Sequence, residues 1–394
     1  MSDDDQGPGE PQFPFGSVPF LNDMMKAMAA QGPLNWQLAT EAAAAGARGD
    51  TDDPEPDPST RLAFNRLADI ADMHVREITL LSTGPNDTHT EVHTTTRSIW
   101  AHRTLQDLRP LFTDLAAALN QPQTAQSSDD PLASMFANMS SLMFPALMGI
   151  TVGSMIGSLA QRAFGQYDLP LSRPHASDIL VVSRTVDTFA SDWSIAPDDL
   201  RMWVLVHELT SHAVLNTPAA TEGLMGTIRA YVGAFRPDAE AFMAQLGDLD
   251  PGDGQALEKL QKTLSDPMVL VGAIKSPEQH SISPVLDARV AAVTAYIDHV
   301  VDQVGARLLG NASPIAEAVR RRRLDGRAEA DLAERLLGVS LSRQLQKRGA
   351  DFVAGVVERG GDEALRPMLA SAANLPTPNE LDAPGLWLAR LEVQ

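Results

Sequence analysis

The run Trp203-Val204-Leu205-Val206-His207-Glu208-Leu209-Thr210-Ser211-His212 brings two imidazoles and a carboxylate close together in the chain. A His-Glu pair on an amphipathic helix is half of a zinc-hydrolase motif. Two histidines at i and i+4 share a helix face and a metal, and the glutamate after the first reaches the metal-bound water as general base. Here the i+4 position is Ser211 and the second histidine stands at i+5. At about 100° per residue His212 lies about 140° round the helix from His207, so an undistorted helix cannot aim both at one ion. A π-bulge between Glu208 and His212 would restore alignment. Without one, Glu208 and His212 are i, i+4 neighbours, a spacing that suits a carboxylate–imidazole metal pair or an ordinary ion pair. His207 also sits on the stripe Leu200, Val204, His207, Ser211, Val214, which would bury it against a core.

Other chemistry-bearing residues read more simply. His89 and His93 are spaced i, i+4, but they lie in a Thr-rich stretch with weak helix signal and read as a solvated loop. Arg320 to Arg323, just before Asp325-Gly326, complement the negative end of a helix. Asp248, Asp250 and Asp253 lack the ligand spacing of a calcium loop. No glycine-rich phosphate loop, dinucleotide fingerprint or nucleophile-elbow serine is present. The chain has no cysteine, so disulfides, thiolate zinc sites and a cysteine nucleophile are excluded, and any metal must rest on His, Asp or Glu.

The elements that must position these residues are mostly helices. Of the 394 residues 44 % are hydrophobic and only 5 % aromatic, a composition leaning on Ala, Leu and Met. The formal charge of −20 repels phosphate backbones and anionic lipids, so nucleic acid and membrane surfaces are not expected partners. Residues 1–59 read as an acidic, loose arm, with a short Met/Ala-rich helix near Phe20 to Ala30 and a Pro/Asp linker over Asp50 to Ser59. Residues 60–394 read as one helical domain. Apolar spacing predicts helices from Arg61 and over Ser98 to Leu119, the latter kinked or split at Pro110. Further helices are predicted over Pro197 to Leu215, Glu222 to Gly233 and Pro284 to Val304, with a turn at Gly247 to Gly254. Asp178 to Ser183 is the clearest strand. The uncharged stretch Pro131 to Gln161, with Gly149, Gly153 and Gly157, reads as a buried helix whose glycines admit a close neighbour, with a membrane-spanning helix as the alternative. The opening aspartates give no secretory leader, and the expected compartment is the cytoplasm.

Several pieces together resemble a family of actinobacterial and chloroflexal zincin-like proteins. They are Gly32-Pro33-Leu34-Asn35-Trp36, the three-glycine helix leading into Gly165-Gln166-Tyr167-Asp168-Leu169-Pro170, the Trp203 to His212 helix, Ser276-Pro277-Glu278-Gln279 and Tyr296 to Gly305. The resemblance continues through Arg321 to Arg323, Leu336-Leu337-Gly338, Phe352-Val353, Gly360-Gly361, Asn374 to Thr377 and Trp387 to Arg390. Members are described as zinc-dependent metalloproteases or hydrolases, some linked to deazaflavin-coenzyme biosynthesis genes. The resemblance implies a mainly α, zincin-like fold with at most a small sheet, zinc as cofactor, and a peptide or protein substrate or partner. It makes His207 the first zinc ligand and Glu208 the general base. The second family histidine falls on Ser211, with His212 able to fill the role only after a one-residue insertion. Thr294 stands where an acidic ligand is expected, leaving Asp298 and His299 as substitutes. Two expectations follow: a metallopeptidase with a divergent site, or an inactive zincin-like scaffold that binds a protein or small molecule.

Overall fold

The computed structural model describes residues 32–49, 52–84, 88–120, 131–173, 178–236, 276–310, 312–325 and 327–393. The expected Met/Ala-rich helix near Phe20 and the turn at Gly247 to Gly254 lie outside them. Among the described residues the chain folds into fifteen α-helices and one two-stranded parallel sheet, so the fold is mainly α.

The first half runs α1 (Trp36–Arg48), α2 (Pro58–Thr79), β1 (Glu91–Thr94), α3 (Arg97–Asp107), α4 (Arg109–Leu119) and α5 (Pro131–Ala160). Asp57 starts α2 by accepting the Thr60 amide at 2.9 Å, with Pro58 at a position whose missing N–H costs nothing. Pro110 divides the predicted Ser98 to Leu119 helix, and α4 restarts with that proline in its first turn. The Thr-rich stretch expected to be a loop instead forms β1, Val92 pairing Ile179 in the parallel strand β2 (Asp178–Val181). Sequence pattern hid it because β1 is short and its outward residues, Glu91 and His93, are polar. His89 is not simply solvated, since its Nδ1 hydrogen-bonds Asp72.

The second half runs α6 (Ser183–Asp192), α7 (Pro197–Leu215), a π-helical turn (Ala219–Leu224), α8 (Met225–Gly233), α9 (Pro277–Leu308), α10 (Ser313–Asp325), α11 (Arg327–Leu337) and α12 (Arg343–Gly360). Three short helices close the chain, α13 (Pro367–Ala370), α14 (Pro378–Asp382) and α15 (Pro384–Val393). The centre is α7, in which every residue from Met202 to Leu215 is buried. Helix α9 begins earlier than the expected Pro284, because Ser276 and Gln279 form a reciprocal capping box at 3.1 Å in each direction. Pro284 is carried inside the helix.

The three glycines of α5 bring it backbone-to-backbone with α1. A Cβ at Gly149 would lie 2.4 Å from the Asn35 carbonyl oxygen, one at Gly153 would lie 2.3 Å from that of Ala39, and one at Gly157 would lie 2.8 Å from that of Ala43. Within α5, Met143–Ala160 is apolar and long enough to cross a membrane by composition, yet 56 % of it is buried inside the fold. Exposed, Gly153→Ala would gain about 1 kcal/mol of helix propensity. At this contact the added methyl must push two backbones apart, so a net loss of about 1–3 kcal/mol is expected from urea unfolding, with the midpoint falling below wild type.

Candidate functional site

Helix α7 is regular from Pro197 to Leu215, with no π-bulge between Glu208 and His212; the π-helical turn comes afterwards, at Ala219–Leu224. The helix therefore keeps its 3.6-residue period, and His207 and Ser211 face one cavity of about 690 Å³ while His212 turns away from it. Thr294, Asp298, His299 and Asp302 of α9 form a second wall, α12 forms a third, and Tyr167 to Pro170 contribute a rim.

His207 stacks on Trp203, one turn earlier, with ring centroids 5.4 Å apart and planes inclined by 12°. Its Nδ1 is 3.2 Å from Glu208 Oε1. Glu208 is 1 % exposed and does not line the cavity. Its Oε2 accepts the Tyr167 backbone N–H at 2.9 Å, under Gly165, where a Cβ would lie 2.3 Å from the Glu208 Cδ. That loop is fastened at successive carbonyls. Trp100 Nε1–H donates to Gly165 O and the fully buried Arg173 donates to Gln166 O, both at 2.7 Å. Burial lowers the Arg173 pKa, a shift opposed by nearby Asp107.

His212 is engaged behind the helix. Its Nδ1 lies 2.7 Å from Tyr167 Oη, and the ring also hydrogen-bonds the Thr83 backbone. The Tyr167 hydroxyl is able to donate to Nδ1 of a neutral ring. Burial pushes the His212 pKa down to about 4 and raises that of Tyr167, so both are neutral at pH 7. On α9, Thr294 turns its hydroxyl back to Val290 O at 2.7 Å. His299 Nε2 is 2.7 Å from Asp362 Oδ1, and Asp302 is 3.6 Å from Arg320. Burial raises the Asp302 carboxyl, with Arg320 opposing. Arg322 lies over the Phe164 ring at 3.5 Å and 3.7 Å from Asp168, so the arginine run reaches the rim as well as the helix end.

Of the residues singled out from sequence, the fold brings His207, Asp298 and His299 to one cavity together with Ser211 and Thr294; Glu208 and His212 are directed elsewhere. Sequence reasoning did not single out the α12 wall. Its signal is the spacing Arg343, Lys347, Ala350, Val353, Ala354, Val357, a single helix face that mixes charge with small apolar residues.

A family model for zincin-like metallopeptidases matches residues 34–388, and the chain belongs to that family. The fold is similar to a crystal structure described as "a putative hydrolase with a novel fold" from Chloroflexus aurantiacus. That match has a TM-score of 0.55 at 19 % identity and covers 92 % of this chain and 99 % of the other. No curated protein sequence matches.

The family implies zinc, and the residues present do not fit it in the zincin manner. Among the described residues, no group of three His, Asp or Glu side chains is arranged to hold a metal. Ser211 occupies the one-turn position beside His207, and His212, turned from the cavity, holds Tyr167 through Nδ1 and also bonds the Thr83 backbone.

The buried neutral His212 predicts acid sensitivity. Its folded pKa lies below the ordinary 6.5, so the unfolded chain binds the extra proton first and stability falls as pH drops from about 6.5 towards 4. The full shift corresponds to roughly 3 kcal/mol. Urea midpoints at pH 7 and pH 5 should differ for wild type and differ less for His212→Gln.

Proposed function

We propose that this zincin-like chain binds a peptide in the cleft beside His207 and does not use zinc to hydrolyse it. The reading rests on the exchange of roles along α7: Ser211, a poor zinc ligand, faces the cavity with His207, whereas Glu208 is held by the Tyr167 amide. A general base must lie within reach of the water it activates, and a carboxylate 1 % exposed, with one oxygen on the Tyr167 amide and the other beside His207, is not placed for that step. The cleft itself is retained, with a volume in the usual range for ligand sites.

What the chain's own residues do under this reading is positional. Trp203 fixes the His207 ring by stacking, and the imidazole lines the cleft. Ser211 beside it provides a small hydrogen-bonding hydroxyl, and α12 supplies apolar surface for side chains. A second reading, a zinc-dependent hydrolase, is favoured by one observation: His207, Asp298 and His299 line the same cavity. The two separate by elemental analysis of untagged protein purified without chelators. Binding without zinc predicts well under one zinc per chain in wild type and a gain towards one equivalent in the double variant Ser211→His, Thr294→Glu. Close to one equivalent in wild type, lost in His207→Ala, would establish the hydrolase reading instead.

A further inference from the structure

The charges around the cleft are sorted by position along its length. Helices α9 and α12 lie side by side and run in the same direction. Gly338, before α12, touches Leu286; Gly349 touches Ala291 and Ala295; and Asp362, just past the end of α12, meets His299. Residues later in α9 therefore stand opposite the later part of α12. The face that α12 turns to the cleft opens with Arg343 and Lys347, passes through Ala350, Val353, Ala354 and Val357, and ends at Glu358. Across from its later part α9 places Asp298 and Asp302 in the same cleft. One end is thus basic, the middle is small and apolar, and the other end is acidic. Local pairs soften this without reversing it. Arg320, which itself lines the cleft at the acidic end, lies 3.6 Å from Asp302, Arg359 lies 3.9 Å from Glu358, and Lys347 holds Asp351 at 2.5 Å on an exposed flank. With these partners counted, the Arg343 end still keeps an excess of positive charge and the Asp298 and Glu358 end an excess of negative charge.

From Arg343 to Glu358 the helix rises about 22 Å at 1.5 Å per residue. An extended peptide covers that distance in about six or seven residues at 3.3–3.6 Å each. A free peptide of that length carries opposite charges at its two ends by its chemistry alone, an α-ammonium and an α-carboxylate, separated by the span that separates the two poles of the cleft.

We infer that the cleft binds short free oligopeptides, about six residues long, by both termini, with the α-carboxylate between Arg343 and Lys347 and the α-ammonium beside Asp298 and Glu358. This rests on the peptide-binding reading above and adds to it a length, a direction and a demand for uncapped ends. The apolar middle, floored by Val353 and Val357, accepts small side chains without selecting a sequence. Charge placement of this kind sets register and excludes the reverse orientation more than it adds affinity, because a flipped peptide would face like charge at both ends.

The test is calorimetric titration of the full chain with Ala-Val-Ala-Ser-Ala-Val, free at both ends, and with its N-acetylated, C-amidated and doubly capped forms, together with free three- and nine-residue analogues. Trp203 fluorescence serves as a second readout, since that indole stacks on His207 at the cleft wall. The free hexapeptide is expected to bind about five- to tenfold more tightly than either singly capped form, and more tightly than the shorter and longer peptides. In the surface variant Arg343→Glu, Lys347→Glu, amidation should no longer weaken binding while acetylation still does. Equal binding of free and doubly capped hexapeptide, or affinity independent of length, overturns the inference and leaves the peptide-binding reading standing. Failure of every peptide, capped or free, defeats both. Circular dichroism on the charge variant confirms that the exposed substitutions leave the helices intact.

Discussion

The Glu208 carboxylate on the Tyr167 amide is the bond on which the rest of the site depends. A carboxylate that is 1 % exposed must find donors inside the protein, and here a main-chain N–H supplies one at 2.9 Å. Leaving a buried polar group without its hydrogen-bond partner costs about 1–3 kcal/mol, so the loop from Gly165 to Pro170 does not leave freely. That loop is in turn held by Trp100, by Arg173 and by Val182, whose amide donates to Phe164 O at 2.8 Å. On the peptide-binding reading, the glutamate that a zincin would spend on water is a fastening for the rim of the cleft. The neighbouring histidine follows the same logic, because the regular pitch of α7 commits His212 to Tyr167 and Thr83 on the far side.

On that reading a zincin-like fold keeps its cavity while its site diverges. Ser211 and Thr294 fit their places in ordinary ways: the serine is small enough for a fully buried helix, and the threonine satisfies its hydroxyl on the preceding turn. Neither leaves an unpaired buried charge.

Much of this was legible in the residues. Pro197 with Asp198 and Asp199 marked the start of α7 because each suits the positive, donor-rich end of a helix, and the Gly149, Gly153 and Gly157 repeat marked a close approach that α1 makes. The sequence also carried the central ambiguity, since His207 and His212 at i and i+5 were compatible with a bulged or a regular helix. Only tertiary partners decide that, and the Tyr167 hydroxyl and the Thr83 backbone come from distant segments. Strand β1 escaped notice for a similar reason: Glu91 to Thr94 has no strong pattern of its own and is a strand because Asp178 to Val181 pairs with it. The α12 wall was hidden because a face of Arg, Lys, Ala and Val reads as an ordinary amphipathic helix until something stands opposite.

That parallel pairing also bears on the order in which the molecule assembles. Parallel strands cannot be joined by a tight turn, and between β1 and β2 the chain makes all of α3, α4 and α5 before Asp178 arrives to meet Glu91. The pairing is a long-range closure, the slow kind in folding. On a ribosome, β1 therefore emerges with its edge unpaired and waits for the α5 segment to be made. The walls of the cleft, α9 and α12, are synthesised later still. The N-terminal half must hold together for a time through its own helix contacts, α1 against α3 and α5 among them, with an open strand edge that a chaperone or a second nascent chain could occupy first.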